Sequence, residues 1–328
     1  MASIVIACAS DSRCALPLAV TLRSLAANLD PRCRVEVHAV DDGIDPADKA
    51  KVEASLTDRV TLRWVEPCRS GLGALPTWGR MPTTTYQKLT MGEWLPADAE
   101  KAIWLDCDLL VLHDIAPLWH TNLGDRQVFA VPDQRVPFVS SRFGVAAYRD
   151  LGLAPEAKYF NAGVLLIDVG LWRKDDVAGR AIHYLKTYRD KVFFWDQEAL
   201  NAVLAGRWGE LDSGWNRHPT IDYLLGRDTA PKERRAADEV SHDVRIAHFS
   251  GNLKPWNCPG SSPYYTLYFQ YLDQTAWTGW RPARTCTGTM LQAYEASRLR
   301  RLVYPAEQWA THLVRTFTRS HDGKRETA

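Results

Sequence analysis

At 328 residues, 46% hydrophobic and 24% charged, the chain is long enough for one large α/β domain or two small ones and has the composition of an ordinary globular protein. A formal net charge of +1 argues against a dedicated nucleic-acid binder, and no apolar stretch reaches the length needed to cross a bilayer. Seven cysteines without a Cys-x-x-Cys pair read as reduced thiols, and the start runs straight into Ile4-Val5-Ile6-Ala7, so a cytoplasmic location is expected.

Residues 3–9, ending at Ala9, form a short apolar run that predicts a buried strand, closed by Ser10-Asp11-Ser12. Leu18, Leu22, Leu25 and Leu29 then recur at helical spacing. Residues 34–40 read as a second strand ending in the turn Asp41-Asp42-Gly43, and Asp45-Pro46 opens a second helix with Asp45 as its N-cap. A third strand is expected over 60–65 and a third helix over 83–94. This alternation predicts an α/β fold built on a doubly wound, mostly parallel sheet.

Residues 102–105 read as the central buried strand, broken at Asp106-Cys107-Asp108 before the apolar run resumes at 109–112. Two carboxylates two residues apart on extended backbone point to one side, at the strand end where open α/β sheets bind ligands. Hard oxygens placed there suit Mg²⁺ or Mn²⁺. Taken alone, an Asp-x-Asp more often caps a turn. Asp11 ends the first strand as Asp106 ends the central one, and its ordinary reading is a helix N-cap.

Farther on, residues 128–132 form an apolar run ending in Asp133, and Asn161-Ala162-Gly163 leads into the apolar stretch 164–167. Small residues let backbone approach a ligand, and an asparagine both donates and accepts, although a plain turn needs the same residues. Residues 171–189 are expected to form a helix with a solvated outer face; Asp196 suits the N-terminus of the next helix. Residues 227–239 read as an exposed loop. A strand over 244–248 delivers His248, Gly251 permits a tight loop, and Lys254 follows: a common metal ligand and a compact counter-charge for phosphate.

Asp11, Asp106-Cys107-Asp108, Phe160-Asn161-Ala162-Gly163, Asp196-Gln197 and His248-Phe249-Ser250-Gly251-Asn252-Leu253-Lys254-Pro255-Trp256, in that order, resemble glycosyltransferase family 8 over about residues 4–256. The pattern is most similar to bacterial lipooligosaccharide galactosyl- and glucosyltransferases and, more distantly, glycogenin. The resemblance implies a GT-A fold, a UDP-hexose donor, Mn²⁺ or Mg²⁺, a saccharide or glycolipid acceptor, and transfer with retention at the anomeric carbon. It implies Asp106, Asp108 and His248 as metal ligands, Asp11 at the uracil, Ala9, Cys107 and Lys88 in the nucleotide crevice, and Gly251 and Lys254 at the phosphates. Asp133, Asn161, Ala162, Gly163, Asp196 and Gln197 would frame the donor sugar. Cys14 stands where the family often has an aromatic residue, and Lys88 where it commonly has arginine. The amide at Gln197 is a poor nucleophile, which points to front-face attack by the acceptor, with Asp196 as the charged alternative. A nucleotide-sugar hydrolase or nucleotidyltransferase, and a non-catalytic sugar binder, are the rival readings.

The catalytic domain is expected over residues 1–280. Residues 281–328 carry nine Arg and Lys against four Asp and Glu, interleaved with bulky apolar side chains. That mixture fits an interfacial helix on anionic membrane, and equally a helix packed on the domain with a basic outer face.

Overall fold

The computed structural model describes residues 3–73, 75, 82–219, 243–251, 254–257 and 263–283. The loop expected over 227–239 and the tail beyond 283 lie outside them.

Seven strands form the main sheet, in the order β3-β2-β1-β4-β7-β6-β8. They are β1 (Ile4–Ser10), β2 (Val35–Asp41), β3 (Val60–Val65), β4 (Lys101–Leu105), β6 (Val128–Pro132), β7 (Phe160–Asp168) and β8 (Trp208–Glu210). Parallel pairing joins β1 to β2 and β4, β2 to β3, and β6 to β8, while β7 runs antiparallel to both its neighbours. The sheet is thus mostly parallel with one reversed strand. Chain order turns back at β1, with β2 on one side and β4 on the other, a switch point of the kind beyond which open α/β sheets bind ligands at the carboxyl ends of their strands.

Strand alternation divides the core between two faces. Ile6 and Ile103 belong to one apolar cluster with Leu18, Leu22 and Leu25 of α1 (Ala15–Asn28). Their neighbours Ala7 and Trp104 belong to the other, with Trp172 of α5 (Val169–Lys174) and Leu200 of α7 (Trp195–Leu204). Asp45 caps α2 (Pro46–Ala54), accepting from the Ala47 N–H at 2.8 Å. Between them, α3 (Met91–Trp94), α4 (Ala116–Trp119) and α6 (Val177–Thr187) complete the helices up to α7.

A two-stranded ribbon pairs β5 (Leu109–Val111) with β9 (Ile246–His248) in antiparallel register, Leu109 opposite His248. One edge of it joins the α1 core through Leu109, and Leu110 packs with Tyr264, Tyr268 and Leu272 of α8 (Pro263–Leu272).

Two expected helices prove discontinuous. Residues 83–94 divide into a 3-10 turn, Thr83–Lys88, and the single turn of α3. Residues 171–189 divide into α5 and α6 because Asp176 takes a left-handed conformation, φ 46°, and its carboxylate accepts from the Gly179 N–H at 3.1 Å. Asp11 is no side-chain cap either. Its carboxylate accepts from the Arg13 N–H at 3.0 Å and pairs with the guanidinium at 2.7 Å, while Cys14 occupies the N-cap position of α1.

Candidate active site

Where β4 ends, Asp106 turns out of the sheet, its N–H donating to the Gly163 carbonyl at 2.9 Å. The Trp104 indole N–H donates to Asp106 Oδ1 at 2.7 Å. Two residues on, the Asp108 carbonyl accepts from the Phe249 N–H at 3.0 Å, which holds the end of β9 against this turn. The pairing of Leu109 with His248 then brings the imidazole beside both carboxylates. His248 Nε2 lies 3.2 Å from Asp108 Oδ1 and 3.9 Å from Asp106 Oδ2. A ligand atom from each of the three residues falls within 4.8 Å of the others. Two hard carboxylate oxygens and one imidazole nitrogen, converging at a crevice, fit Mn²⁺ or Mg²⁺.

Cations surround this cluster. Lys254 Nζ pairs with Asp108 Oδ2. Burial raises the Asp108 carboxyl, but Lys254 and His248 outweigh it and hold the pKa well below the usual carboxylate range. Lys88 is 3% exposed and bridges Asp106 Oδ1 at 3.1 Å and Asp196 Oδ2 at 2.7 Å. Burial works against its ammonium, yet the two carboxylates prevail and lift its pKa above the ordinary lysine value. Thr85 donates to the other oxygen of Asp196 at 2.7 Å.

A second network lies alongside. Asp133 Oδ1 accepts from the N–H groups of Arg135 and Val136 at 2.8 and 3.0 Å. Asp133 Oδ2 accepts from Asn161 Nδ2 at 3.0 Å and Gln197 Nε2 at 3.2 Å. Gln197 Oε1 in turn accepts from the Ala162 N–H at 3.0 Å. Asn161 and Gly163, two apart on β7, face the same way. Gly163 is required there: a Cβ would fall 2.3 Å from His248 Cε1. Gly251 sits at φ 107°, a conformation that favours glycine.

The structure thus brings together Asp106, Asp108, His248, Lys254, Lys88 and Asp196, and beside them Asp133, Asn161, Ala162, Gly163 and Gln197. Ala9 and Asp11 stand at the end of β1, Asp11 engaged by Arg13. Cys107 lies between the two carboxylates with its carbonyl accepting from the Thr21 hydroxyl at 3.0 Å. Sequence reasoning missed Thr85, Trp104 and Asn216. Asn216 Oδ1 lies 2.8 Å from His248 Nδ1, and its Nδ2 donates to Asn161 Oδ1 at 2.9 Å. It closes the 3-10 turn Ser213–Asn216, where no neighbouring residue signals a site.

Glycosyl transferase family 8 matches residues 5–258. General stress protein A of Bacillus subtilis is 28% identical over 83% of this chain and 94% of that protein. The lipopolysaccharide 1,3-galactosyltransferase of Salmonella typhimurium is 24% identical over 76% of this chain and 72% of its own length. Among solved structures, the galactosyltransferase LgtC in complex with donor and acceptor sugar analogues superposes with a TM-score of 0.70, at 29% identity, over 83% of this chain and 96% of that one.

Proposed function

The chain belongs to glycosyl transferase family 8 and is a glycosyltransferase with a GT-A-like α/β fold; from that premise we propose that it moves galactose or glucose from a UDP-sugar to a saccharide acceptor, with retention at the anomeric carbon, in the synthesis of lipopolysaccharide or another surface glycan. The observation that carries the reading is the convergence of Asp106, Asp108 and His248 between Lys88 and Lys254. A crevice holding three groups able to bind a divalent cation, with two ammonium groups beside them, suits a diphosphate leaving group.

Asp106, Asp108 and His248 would hold Mn²⁺ or Mg²⁺, which when bound supplies a Lewis acid and a template for the diphosphate. Lys254 is placed to leave Asp108 for the phosphates and offset the charge that develops on departing UDP. Lys88 keeps Asp106 and Asp196 oriented. Asp133, Asn161 and Gln197 present a fixed polar wall for the sugar hydroxyls. Both ends of the Gln197 amide are engaged, and Asp196 is occupied by Lys88 and Thr85, so neither is a free nucleophile. That favours attack by the acceptor hydroxyl on the face from which UDP departs, its proton passing to a diphosphate oxygen.

UDP release from a panel of UDP-sugars with Mn²⁺ and no acceptor, comparing wild type with Asp108→Asn, tests this proposal. Slow release from one hexose donor, reduced about 100-fold or more in the variant, is expected. Donor-independent release, or release indifferent to Asp108, would refute it.

We propose a cytoplasmic enzyme whose basic tail after residue 280 has two readings, an interfacial helix on the inner face of the membrane or a helix packed on the domain. No helix among the described residues is long and apolar enough to cross a membrane. On the interfacial reading, deleting residues 289–328 is expected to abolish co-sedimentation with anionic liposomes; unchanged co-sedimentation removes the tail from that role.

A further inference from the structure

A neutral histidine binds a cation only through the ring nitrogen that carries no proton. In His248, Nδ1 lies 2.8 Å from Asn216 Oδ1, while Nε2 faces Asp106 and Asp108. Which nitrogen keeps its proton therefore turns on which end of the Asn216 amide meets the ring.

That end is set by hydrogen bonds from groups with no choice of role. The Gly163 N–H only donates, and it donates to Asn161 Oδ1 at 3.0 Å. The Asp133 carboxylate receives Asn161 Nδ2 at 3.0 Å. Those two contacts fix the orientation of the Asn161 amide. Its Oδ1 is then the atom that lies 2.9 Å from the Asn216 amide, so Asn216 must turn Nδ2 toward it and leave Oδ1 for the imidazole. A carbonyl oxygen only accepts, so Nδ1 of His248 carries a proton. Asn216 and His248 are each 5% exposed, so little water is available to substitute for either bond. The ring also fills the space a side chain at position 163 would take.

We infer that Asn216 is a positioning residue which holds neutral His248 as its Nδ1–H tautomer and so reserves the Nε2 lone pair for a divalent cation beside Asp106 and Asp108. The inference rests on the metal-dependent reading above. A cation held beside Asp106 and Asp108 would use Nε2, and Nδ1 would keep its proton toward Asn216. The same relay ties the metal ligand to Asp133 and Asn161 of the sugar-facing wall, since Asn161 serves both.

Long-range ¹⁵N–¹H spectra of the imidazoles in the full chain decide the tautomer, first metal-free at a pH where the ring is neutral and then with diamagnetic Mg²⁺. Nδ1 protonated in both is expected; Nδ1 unprotonated in either overturns the inference, and no variant is needed to see it. Free Mn²⁺ counted by electron paramagnetic resonance gives the second readout. Asn216→Leu should weaken Mn²⁺ binding about 10–100-fold. Asn216→Asp retains an acceptor for the Nδ1 proton and should bind close to wild type. Equal binding by wild type and Asn216→Leu, or equal loss in both variants, overturns the role of the acceptor oxygen. Asp108→Asn separates the two claims: Mn²⁺ binding undiminished there refutes the metal reading, while the spectra still report on Asn216.

Discussion

Lys88 supplies the charge expected of this position without the planar fork of an arginine, and its surroundings show how a point charge suffices. One ammonium meets two carboxylates from different segments, and it lies 5.3 Å from the centre of the Trp104 ring. Its removal leaves Asp196, 5% exposed, without its cation. Lys88→Met is therefore expected to destabilise the fold by about 3 kcal/mol, measured from urea midpoints, whereas Lys88→Arg should lose far less. At this scale the residues legible in the sequence were those within recognisable runs: the Asp-x-Asp, the Asn-Ala-Gly, the His-to-Lys loop. Asn216 and Thr85 were not legible, because a lone polar residue in a turn has no period or neighbouring motif. Only long-range folding, which sets Asn216 beside Asn161 and Thr85 beside Asp196, gives either of them a role.

Among the elements, β7 does the most to shape the site. It runs against the rest of the sheet, so its first residues, not its last, lie at the edge where β4 and β6 finish. Asn161 and Gly163 can stand beside Asp106 and Asp133 for that reason. Gly163→Ala would drive a methyl into the His248 ring, at 2.3 and 2.6 Å from two of its atoms. It is expected to cost about 1–3 kcal/mol in thermal or urea unfolding and to weaken Mn²⁺ binding in a direct titration. Strand periods revealed that β7 exists but not its direction, since a buried strand has the same apolar run either way. The break between α5 and α6 was equally hidden. The polar run Arg173-Lys174-Asp175-Asp176 reads as a solvated helical face as readily as a break, and the interruption depends on one aspartate adopting an αL conformation that its own cap bond supports.

For the molecule as a whole, sequence alternation conveyed the layered α/β plan, because each crossover demanded a helix and each strand a buried run. Its stability toward acid depends in part on His38 of β2, which is 4% exposed, with Arg63 opposite it and Glu36 at 3.3 Å. Burial lowers its pKa; Glu36 opposes the shift and Arg63 adds to it. The unfolded chain therefore takes up this proton before the folded one as pH falls below about 6.5, so stability present at neutral pH drains away through the window beneath that value. Between pH 7.5 and 5.5 the urea midpoint of wild type should fall further than that of His38→Gln; parallel falls would remove His38 from the account. The reversal of β7 has one more consequence, for descent. Because β6 and β7 are antiparallel, residues 133–159 leave the sheet and re-enter it at the same rim, with no crossover to respan. The excursion is pinned where Val136, Val139 and Val145 enter the core and where the Ala146 N–H donates to the buried Glu198. Between such pins, residues can be gained, lost or exchanged while the strands keep their places. A lineage can thus remodel residues 133–159 and leave the Asp106, Asp108 and His248 cluster unaltered.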